Sequence, residues 1–103
     1  MDLCKLNDEN GCSKISSNLQ VRYSSGSLIS SGKVTAISKR CMCVNTNIRL
    51  PLYCSIKLLR RNNNGFDIKV KVERVKYVSR IYKLSLEVIN PPLDYLNIVN
   101  RYY

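Results

Sequence analysis

The stretch that decides the fold of this chain is residues 66–78, which read FDIKVKVERVKYV. Up to Val72, apolar residues alternate with charged ones, as in a β-strand that buries one face. The alternation then slips, because Val75 and Tyr77 fall on the other parity. Side chains along a strand have a period of two, so one residue must be absorbed near Glu73-Arg74. A β-bulge is therefore predicted there, and bulges bend a sheet into a barrel.

Alternation of the same kind continues on both sides of this stretch, and turn residues interrupt it. The sequences SSGS at 24–27 and NNNG at 62–65 are turn signals, since Gly and Asn tolerate positive φ. Pro51 is expected to lie outside a central strand, because proline has no backbone N–H to donate. Six strands are predicted, at residues 19–24, 28–37, 41–44, 52–59, 66–78 and 82–88.

The chain changes character after Asn90-Pro91-Pro92, which ends the last strand and suits the first turn of a helix. Leu93, Leu96 and Val99 then follow at intervals of three, and Tyr102 is one step further on. This spacing predicts a short amphipathic helix that packs against the strands.

The predicted fold class is mainly β: a six-stranded antiparallel β-barrel with a short C-terminal α-helix. A chain of 103 residues suits a single domain. Residues 1–17 are polar and without sustained period, which predicts a flexible N-terminal arm. Residues 18–103 are predicted to form the barrel domain with its helix.

The charge balance is strongly basic, because 17 Lys and Arg oppose 7 Asp and Glu for a net charge of +10. A field of that sign favours anionic partners, namely nucleic acid, nucleotide, acidic protein or anionic lipid. No apolar run approaches the roughly 18 residues that a membrane span needs. The first residues, MDLCKLNDE, lack the apolar centre of a secretory signal, so a cytoplasmic location is expected.

The five cysteines are expected to be reduced thiols, because an odd number cannot be fully paired and no export signal is found. Cys41-Met42-Cys43 has the wrong spacing for a zinc knuckle, and the sequence contains no histidine, so no metal site is predicted. Without histidine, no pair of general base and nucleophile stands out. No catalytic residue is predicted, and the chain is not expected to be an enzyme.

Several segments resemble a PilZ domain, a family of bacterial cyclic di-GMP receptors. They are residues 32–38 (GKVTAIS) with 50–52 (LPL), residues 68–75 (IKVKVERV) and residues 82–88 (YKLSLEV). The resemblance covers about residues 18–103 and rests on strand order and spacing. Two motifs bind the ligand in that family: Arg-x-x-x-Arg before the first strand and Asp/Asn-x-Ser-x-x-Gly after the second.

Most of both motifs is missing from this sequence. No two arginines stand four apart, and Ser13, Lys14 and Ser16 occupy the expected place of the first motif. Lysine supplies charge, but neither the planar fork onto phosphate nor the stack on guanine that arginine provides. The second motif aligns on residues 36–41 (AISKRC), where only Ser38 fits. Each loss costs on the order of 1–3 kcal/mol of binding, so cyclic di-GMP binding is expected to be lost, and no cofactor is predicted.

The resemblance implies a non-enzymatic signalling or adaptor domain that acts through protein-protein contacts in bacterial second-messenger regulation. A protein partner is therefore predicted. The candidate contact residues are basic residues and the tyrosines of the terminal helix, although at least one of these tyrosines is expected to cover the barrel end instead. They are Lys39, Arg40, Arg60, Arg61, Lys76, Tyr95, Tyr102 and Tyr103.

Two alternatives stay open. In the first, the chain remains a cyclic di-GMP receptor with a non-standard basic site formed by Lys14, Arg22, Ser38, Lys39 and Arg40. In the second, the small basic barrel binds nucleic acid, as OB-type folds do. Base stacking needs aromatic side chains on an exposed strand face, whereas the sequence places most of its tyrosines on core faces. Nucleic acid is therefore the less favoured partner.

Overall fold

The structure, a computed structural model, describes residues 13–14, 19–59 and 65–101. Within these residues the chain forms, in order, β1 (Ser13–Lys14), β2 (Gln20–Ser25), β3 (Leu28–Ile37), β4 (Cys41–Thr46), β5 (Tyr53–Leu59), β6 (Gly65–Val78), β7 (Ile81–Ile89) and α1 (Leu93–Arg101). None of the described residues belongs to a helix with the length and hydropathy required to cross a bilayer.

Two antiparallel meanders of three strands make up the barrel. The first contains β2, β3 and β4, and the second contains β5, β6 and β7. Pairing of β2 with β5 and of β4 with β7 joins the meanders along both edges and closes the ring. The β4–β7 seam is the longer, because it has six residue pairs and the β2–β5 seam has three. The predicted six-stranded antiparallel barrel with a short C-terminal helix is confirmed.

The two-residue strand β1 adds to this ring at the end of β3. Ser13 pairs with Ile37 and Lys14 pairs with Ala36, so β1 continues along the edge of β3 that β2 occupies earlier. These two residues are the part of the predicted N-terminal arm, residues 1–17, that the structure describes. The rest of the arm lies outside the described residues.

The bulge predicted in the long strand β6 is present. The register between β6 and β7 shifts between Val72 and Arg74, so Glu73 is the additional residue. Before the bulge Val70 faces the core, and after it Val75 is opposite the buried Leu84 on the same side of the sheet. The bulge therefore restores apolar residues to the inner face after the slip in parity.

The sequence does not predict a second bulge, which β3 has between Val34 and Ala36 opposite β4. Its parity slip is hidden because Ala36 and Ile37 are both apolar, so either register buries an apolar side chain. The two bulges lie beside one row of residues that crosses four strands. In that row Ala36 pairs with Cys43, Cys43 with Ser85, and Ser85 with Arg74.

The core fills the barrel with inward-facing side chains from all six strands, and burial of this apolar surface is the main stabilising contribution. Leu50, in the connection between β4 and β5, is buried at the barrel end opposite α1. The buried strand residues include Val21, Val34, Ile37, Met42, Val44, Ile56, Leu58, Ile68, Val70, Leu84, Leu86 and Val88.

The helix α1 covers the other end, with a different face from the one predicted. Leu93 is 72% exposed, and Leu96 is half-buried. The buried residues are Tyr95, Ile98 and Val99. The prediction used intervals of three, but an α-helix has about 3.6 residues per turn, so residues at i, i+3 and i+4 share a face. The predicted face is therefore confirmed at Val99, partly confirmed at Leu96, which packs against the core, and wrong at Leu93, whereas Tyr102 lies outside the described residues.

Tyr95 is one of the tyrosines considered for a docking patch, of which at least one is expected to cover the barrel end instead. Its side chain is fully buried, so Tyr95 is not part of such a patch. Its hydroxyl lies 2.6 Å from the carbonyl oxygen of Ser38 and 3.2 Å from that of Cys41. A phenol has one proton to donate, and the shorter distance identifies Ser38 as its acceptor. Tyr95 therefore ties the C-terminal helix to the turn between β3 and β4.

We predict that Tyr95→Phe destabilises the protein by about 0.5–1.5 kcal/mol, because the half-buried carbonyl of Ser38 loses its donor while the ring stays in place. Urea unfolding followed by circular dichroism measures the change. Tyr77→Phe is the matched control, since the Tyr77 side chain is 60% exposed. Equal stability of the two variants would contradict the importance of the helix–turn hydrogen bond.

Candidate functional site

The residues predicted for a non-standard cyclic di-GMP site lie in two regions of the barrel. The turn at 38–40 carries three of them, and Lys14 pairs with Ala36 beside that turn. Arg22 instead pairs with Ser31, which precedes Ala36 by five residues along β3, or roughly 15 Å of extended strand. The backbone thus brings four of these residues to the helix end of the barrel and leaves Arg22 apart.

Ser38, the residue that fits the second PilZ motif, takes part in the geometry of its own turn. Its backbone N–H donates to the carbonyl of Cys41 at 2.8 Å. Its hydroxyl accepts from the N–H of Cys41 at 3.2 Å and lies 3.2 Å from the carbonyl oxygen of the same residue. The hydroxyl is also 3.0 Å from the Cys41 sulfur. These contacts give Ser38 a structural role that needs no ligand.

The residues predicted for protein contact are also separated. Lys39 and Arg40 are exposed in the turn at the helix end, whereas Lys76 is exposed toward the far end of β6. Tyr95, as described above, is buried. The remaining predicted residues lie outside the described part of the chain, and they are Arg60, Arg61, Tyr102 and Tyr103.

A row of basic side chains crosses the outer surface of four adjacent strands. Lys33 on β3 pairs with Asn45 on β4, Asn45 pairs with Lys83 on β7, and Lys83 pairs with Lys76 on β6. Arg74 lies two residues before Lys76 on β6, in the next outward-facing row, where it is opposite Ser85. All four cationic side chains are exposed. Lys33, Arg74, Lys76 and Lys83 are called the cationic face below.

Three residues of the cationic face, Arg74, Lys76 and Lys83, line a concavity in the barrel wall of about 840 Å³, and Lys33 lies outside its lining. Thr35, at the bulge of β3, lines one side, and Arg74, next to the bulge of β6, lines the other. Ser85, at the centre, is only 1% exposed, although the alternation along β7 places its side chain on the outer face of the barrel. Because bulges increase the local twist and bend of a strand, the paired bulges account for this hollow.

The lining of the concavity contains no carboxylate and no aromatic side chain. Besides Thr35, Arg74 and Ser85, it consists of Ala36, Cys43, Val44, Asn45, Val75, Lys76, Lys83 and Leu84. The nearest acidic residues along the strands are Glu73, which forms an ion pair with Lys71 at 4.0 Å, and Glu87, which is opposite Lys71. The charged side chains that line the hollow are therefore all cationic.

Lys76 and Lys83 are directly opposite each other on neighbouring strands. Like charges in such a pair destabilise a sheet. Within the described residues neither lysine has an ion-pair partner. An arrangement that costs stability and lies over a hollow is a typical feature of a binding site. The bound group would be an anion, because it relieves the repulsion between the two lysines.

The chemistry available on the cationic face is binding. Lysine ammonium groups act as mobile point charges, and Arg74 adds a planar fork of N–H groups that can donate to a carboxylate or a phosphate. Among residues 13–14, 19–59 and 65–101, no group of three His, Cys, Asp or Glu side chains is placed to hold a metal ion. Burial raises the pKa of the Cys54 thiol on β5, so that thiol is a poor source of reactive thiolate.

Sequence reasoning singled out Lys76 and missed Lys33, Arg74 and Lys83. The parity of each strand shows that these side chains point outward, but it does not show which residues are opposite each other. That information depends on the bulge in β3, which the sequence hides, and on the pairing of β4 with β7, which joins distant segments. No local pattern could therefore have assembled the row.

Comparisons with known proteins found no match for this chain among family models, curated proteins or solved structures. Function is therefore inferred from the residues and geometry of the barrel itself. The PilZ resemblance described above is a hypothesis that rests on the sequence segments quoted for it.

We predict that Lys83→Glu stabilises the protein by about 0.3–1 kcal/mol at low salt, because a repulsive cross-strand pair becomes attractive. Urea unfolding at low and at high salt measures the effect, which should shrink as salt screens the pair. Lys69→Glu is the control, since Lys69 is exposed and opposite Ser55 and Ile89. A gain equal to that of the control, or one that persists at high salt, would refute the repulsion.

Proposed function

We propose that this chain is a non-enzymatic adaptor domain of the PilZ type that binds an acidic segment of a partner protein on its cationic face. Its setting would be bacterial second-messenger regulation, as the sequence resemblance implies. The observation that carries the proposal is the row Lys33–Asn45–Lys83–Lys76, which the barrel assembles across four strands and of which Asn45, Lys83 and Lys76 line a hollow without acidic residues.

The dimensions of the row suit an extended acidic peptide. Lys33 and Lys76 are separated by three strand spacings, or about 14 Å. A peptide of four to five extended residues covers about that length. Lysine side chains are long and flexible, so they can reach carboxylates at several positions, and Asn45 offers a neutral amide between them. Charge complementarity of this kind steers association and sets specificity.

The same residues favour a protein over cyclic di-GMP. Recognition of that nucleotide in the family uses two arginines close together, which fork onto phosphate and stack on guanine. The cationic face has one arginine, Arg74, and three lysines. Ser38 stabilises its own turn, and Arg22 lies apart from that turn. Cyclic di-GMP is therefore the second candidate.

Nucleic acid is supported less well because the hollow has no aromatic lining on which a base could stack. The exposed Tyr77 packs against Tyr82 with a centroid distance of 4.6 Å, on the side of the hairpin opposite to Lys76. Tyr53, which is also exposed, lies on β5 beside Lys71. Neither ring shares the cationic face.

The test uses a short fluorescent peptide with Glu at alternate positions and its Gln counterpart, measured by anisotropy at low salt. We predict that the Glu peptide binds and the Gln peptide does not. The double variant K76E/K83E should weaken binding about tenfold or more, since it replaces two attractive contacts by repulsive ones. The control K69E/R101E changes the net charge equally at two exposed sites away from the hollow.

Equal losses in the two double variants would show that net charge alone attracts the peptide, and absence of binding would overturn the proposal. Calorimetry with cyclic di-GMP provides the second arm. Saturable binding near micromolar Kd that K76E/K83E abolishes would replace the adaptor with a nucleotide receptor. A generic oligonucleotide whose affinity exceeds that of the peptide and falls steeply with salt would favour nucleic acid instead.

A further inference from the structure

Exposed apolar side chains are concentrated on two β-hairpins. The β2–β3 hairpin carries Leu28 and Ile29, and Ile29 is 69% exposed. The β6–β7 hairpin carries Tyr77, Val78 and Ile81, and Ile81 is 40% exposed. Of the eight large apolar side chains that are exposed in the described residues, these two hairpins hold five. Such a concentration is a feature of an interaction surface.

Both hairpins project from the same end of the barrel. Gly32, Thr46 and Tyr82 form one row across β3, β4 and β7, and β4 ends at that row. β3 extends four residues beyond it to Leu28, and the β6–β7 hairpin extends beyond it to its turn. The hairpin tips are therefore two convex projections on either side of β4, at the end opposite α1.

The turn of the β6–β7 hairpin has an unfavourable backbone. Ser79 and Arg80 both have positive φ, 54° and 67°, in a two-residue turn where Asn-Gly is the preferred sequence. Each residue other than glycine in the left-handed region costs about 1–2 kcal/mol. In the β2–β3 turn the residue with positive φ is a glycine, Gly26. Despite this cost in backbone strain, the turn carries the cationic side chain of Arg80 at the tip of the hairpin.

Positive charge also lies directly behind this tip. Val78 pairs with Ile81, and the next outward-facing pair along the same two strands is Lys76 with Lys83. Two residues of strand separate the apolar pair from the lysine pair, or about 7 Å. An element at a membrane interface buries its apolar side about 5–10 Å into the boundary of headgroups and acyl chains. The lysines would then be level with the phosphates.

We propose that the two hairpin tips dock on an anionic lipid surface, with Leu28, Ile29, Val78 and Ile81 entering the interface and Arg80, Lys76 and Lys83 contacting lipid phosphates. Three observations select this occupant. The net charge of +10 repels a second copy of the chain. The two tips are separate projections, and the concavity of about 390 Å³ that Ile29 borders is lined otherwise by polar and charged residues, so it offers no apolar groove to a folded partner. A fluid bilayer requires no shape complementarity, and it attracts each nearby Lys or Arg by about 1 kcal/mol.

This inference goes beyond the proposed function and can fail independently of it. The tips lie at one end of the barrel, and the hollow with Arg74 and Ser85 lies on its side, further back along the strands. A variant of the tips should therefore lose lipid binding and keep acidic-peptide binding. Lys76 and Lys83 belong to both surfaces, so they are left unchanged in the lipid experiment.

The experiment is sedimentation with vesicles of phosphatidylcholine alone or mixed with phosphatidylglycerol. We predict binding to the anionic vesicles, little binding to the neutral ones, and a loss of about tenfold or more in V78S/I81S, because apolar burial is removed. The control L93S removes an exposed apolar side chain from α1, at the other end of the barrel, and should bind as the parent chain does. Equal binding to both vesicle types, or an equal loss in V78S/I81S and L93S, would overturn the proposal.

Arg80→Gly separates the backbone strain from the role of the side chain. Glycine relieves the positive φ, so the variant should be more stable in urea while its affinity for anionic vesicles falls severalfold. Unchanged affinity would contradict the role of Arg80. Because the chain has no tryptophan, V78W adds a single probe whose emission should shift to the blue on anionic vesicles. The same shift in L93W, or none in V78W, would contradict insertion by this tip.

Discussion

The pairing of β4 with β7 is the constraint on which the rest of the structure depends. Each strand ends its own meander, and their six residue pairs turn two open sheets into a closed barrel. This seam puts Cys43 next to Ser85 and Asn45 next to Lys83, so it also forms the centre of the hollow. A closed barrel has no free sheet edge along its seams, which removes a common route to aggregation. Fold and candidate site thus share one set of hydrogen bonds.

The sequence predicts the barrel well because its signals are local. Alternation marks each strand, and the parity slip near Glu73 reveals one bulge directly. The bulge of β3 has no such signal, since Ala36 and Ile37 are both apolar. The helix is correctly placed, but its buried residues are Tyr95, Ile98 and Val99, which a spacing of three does not select as a set. Intervals of three and of 3.6 residues diverge within two turns. The cationic face depends on register between strands that are distant in sequence, so it becomes visible only in the folded barrel.

Electrostatic cost and binding capacity are linked in this barrel. Lys76 and Lys83 repel each other across β6 and β7, and Arg80 occupies a backbone conformation that glycine adopts more easily. Both features are expected to lower the stability of the barrel, and a single substitution at an exposed position, Lys83→Glu or Arg80→Gly, is expected to raise it. Natural proteins keep such features where a ligand compensates for them. Acidic peptide and anionic lipid carry the same sign of charge, so the two proposed ligands would share the lysines Lys76 and Lys83.

The hydrogen bond from Tyr95 to Ser38 also bears on how the chain reaches its native state. The two residues are 57 positions apart, and the helix that carries Tyr95 follows β7, the strand that completes the seam. Long-range pairing of this kind slows folding, because the entropy of closing a long loop is lost before the contact forms. A ribosome must therefore release nearly the whole domain before the barrel can close. Until β7 pairs with β4, the outer edge of β4 stays unpaired and open to pairing with other chains. Docking of the helix then completes the fold.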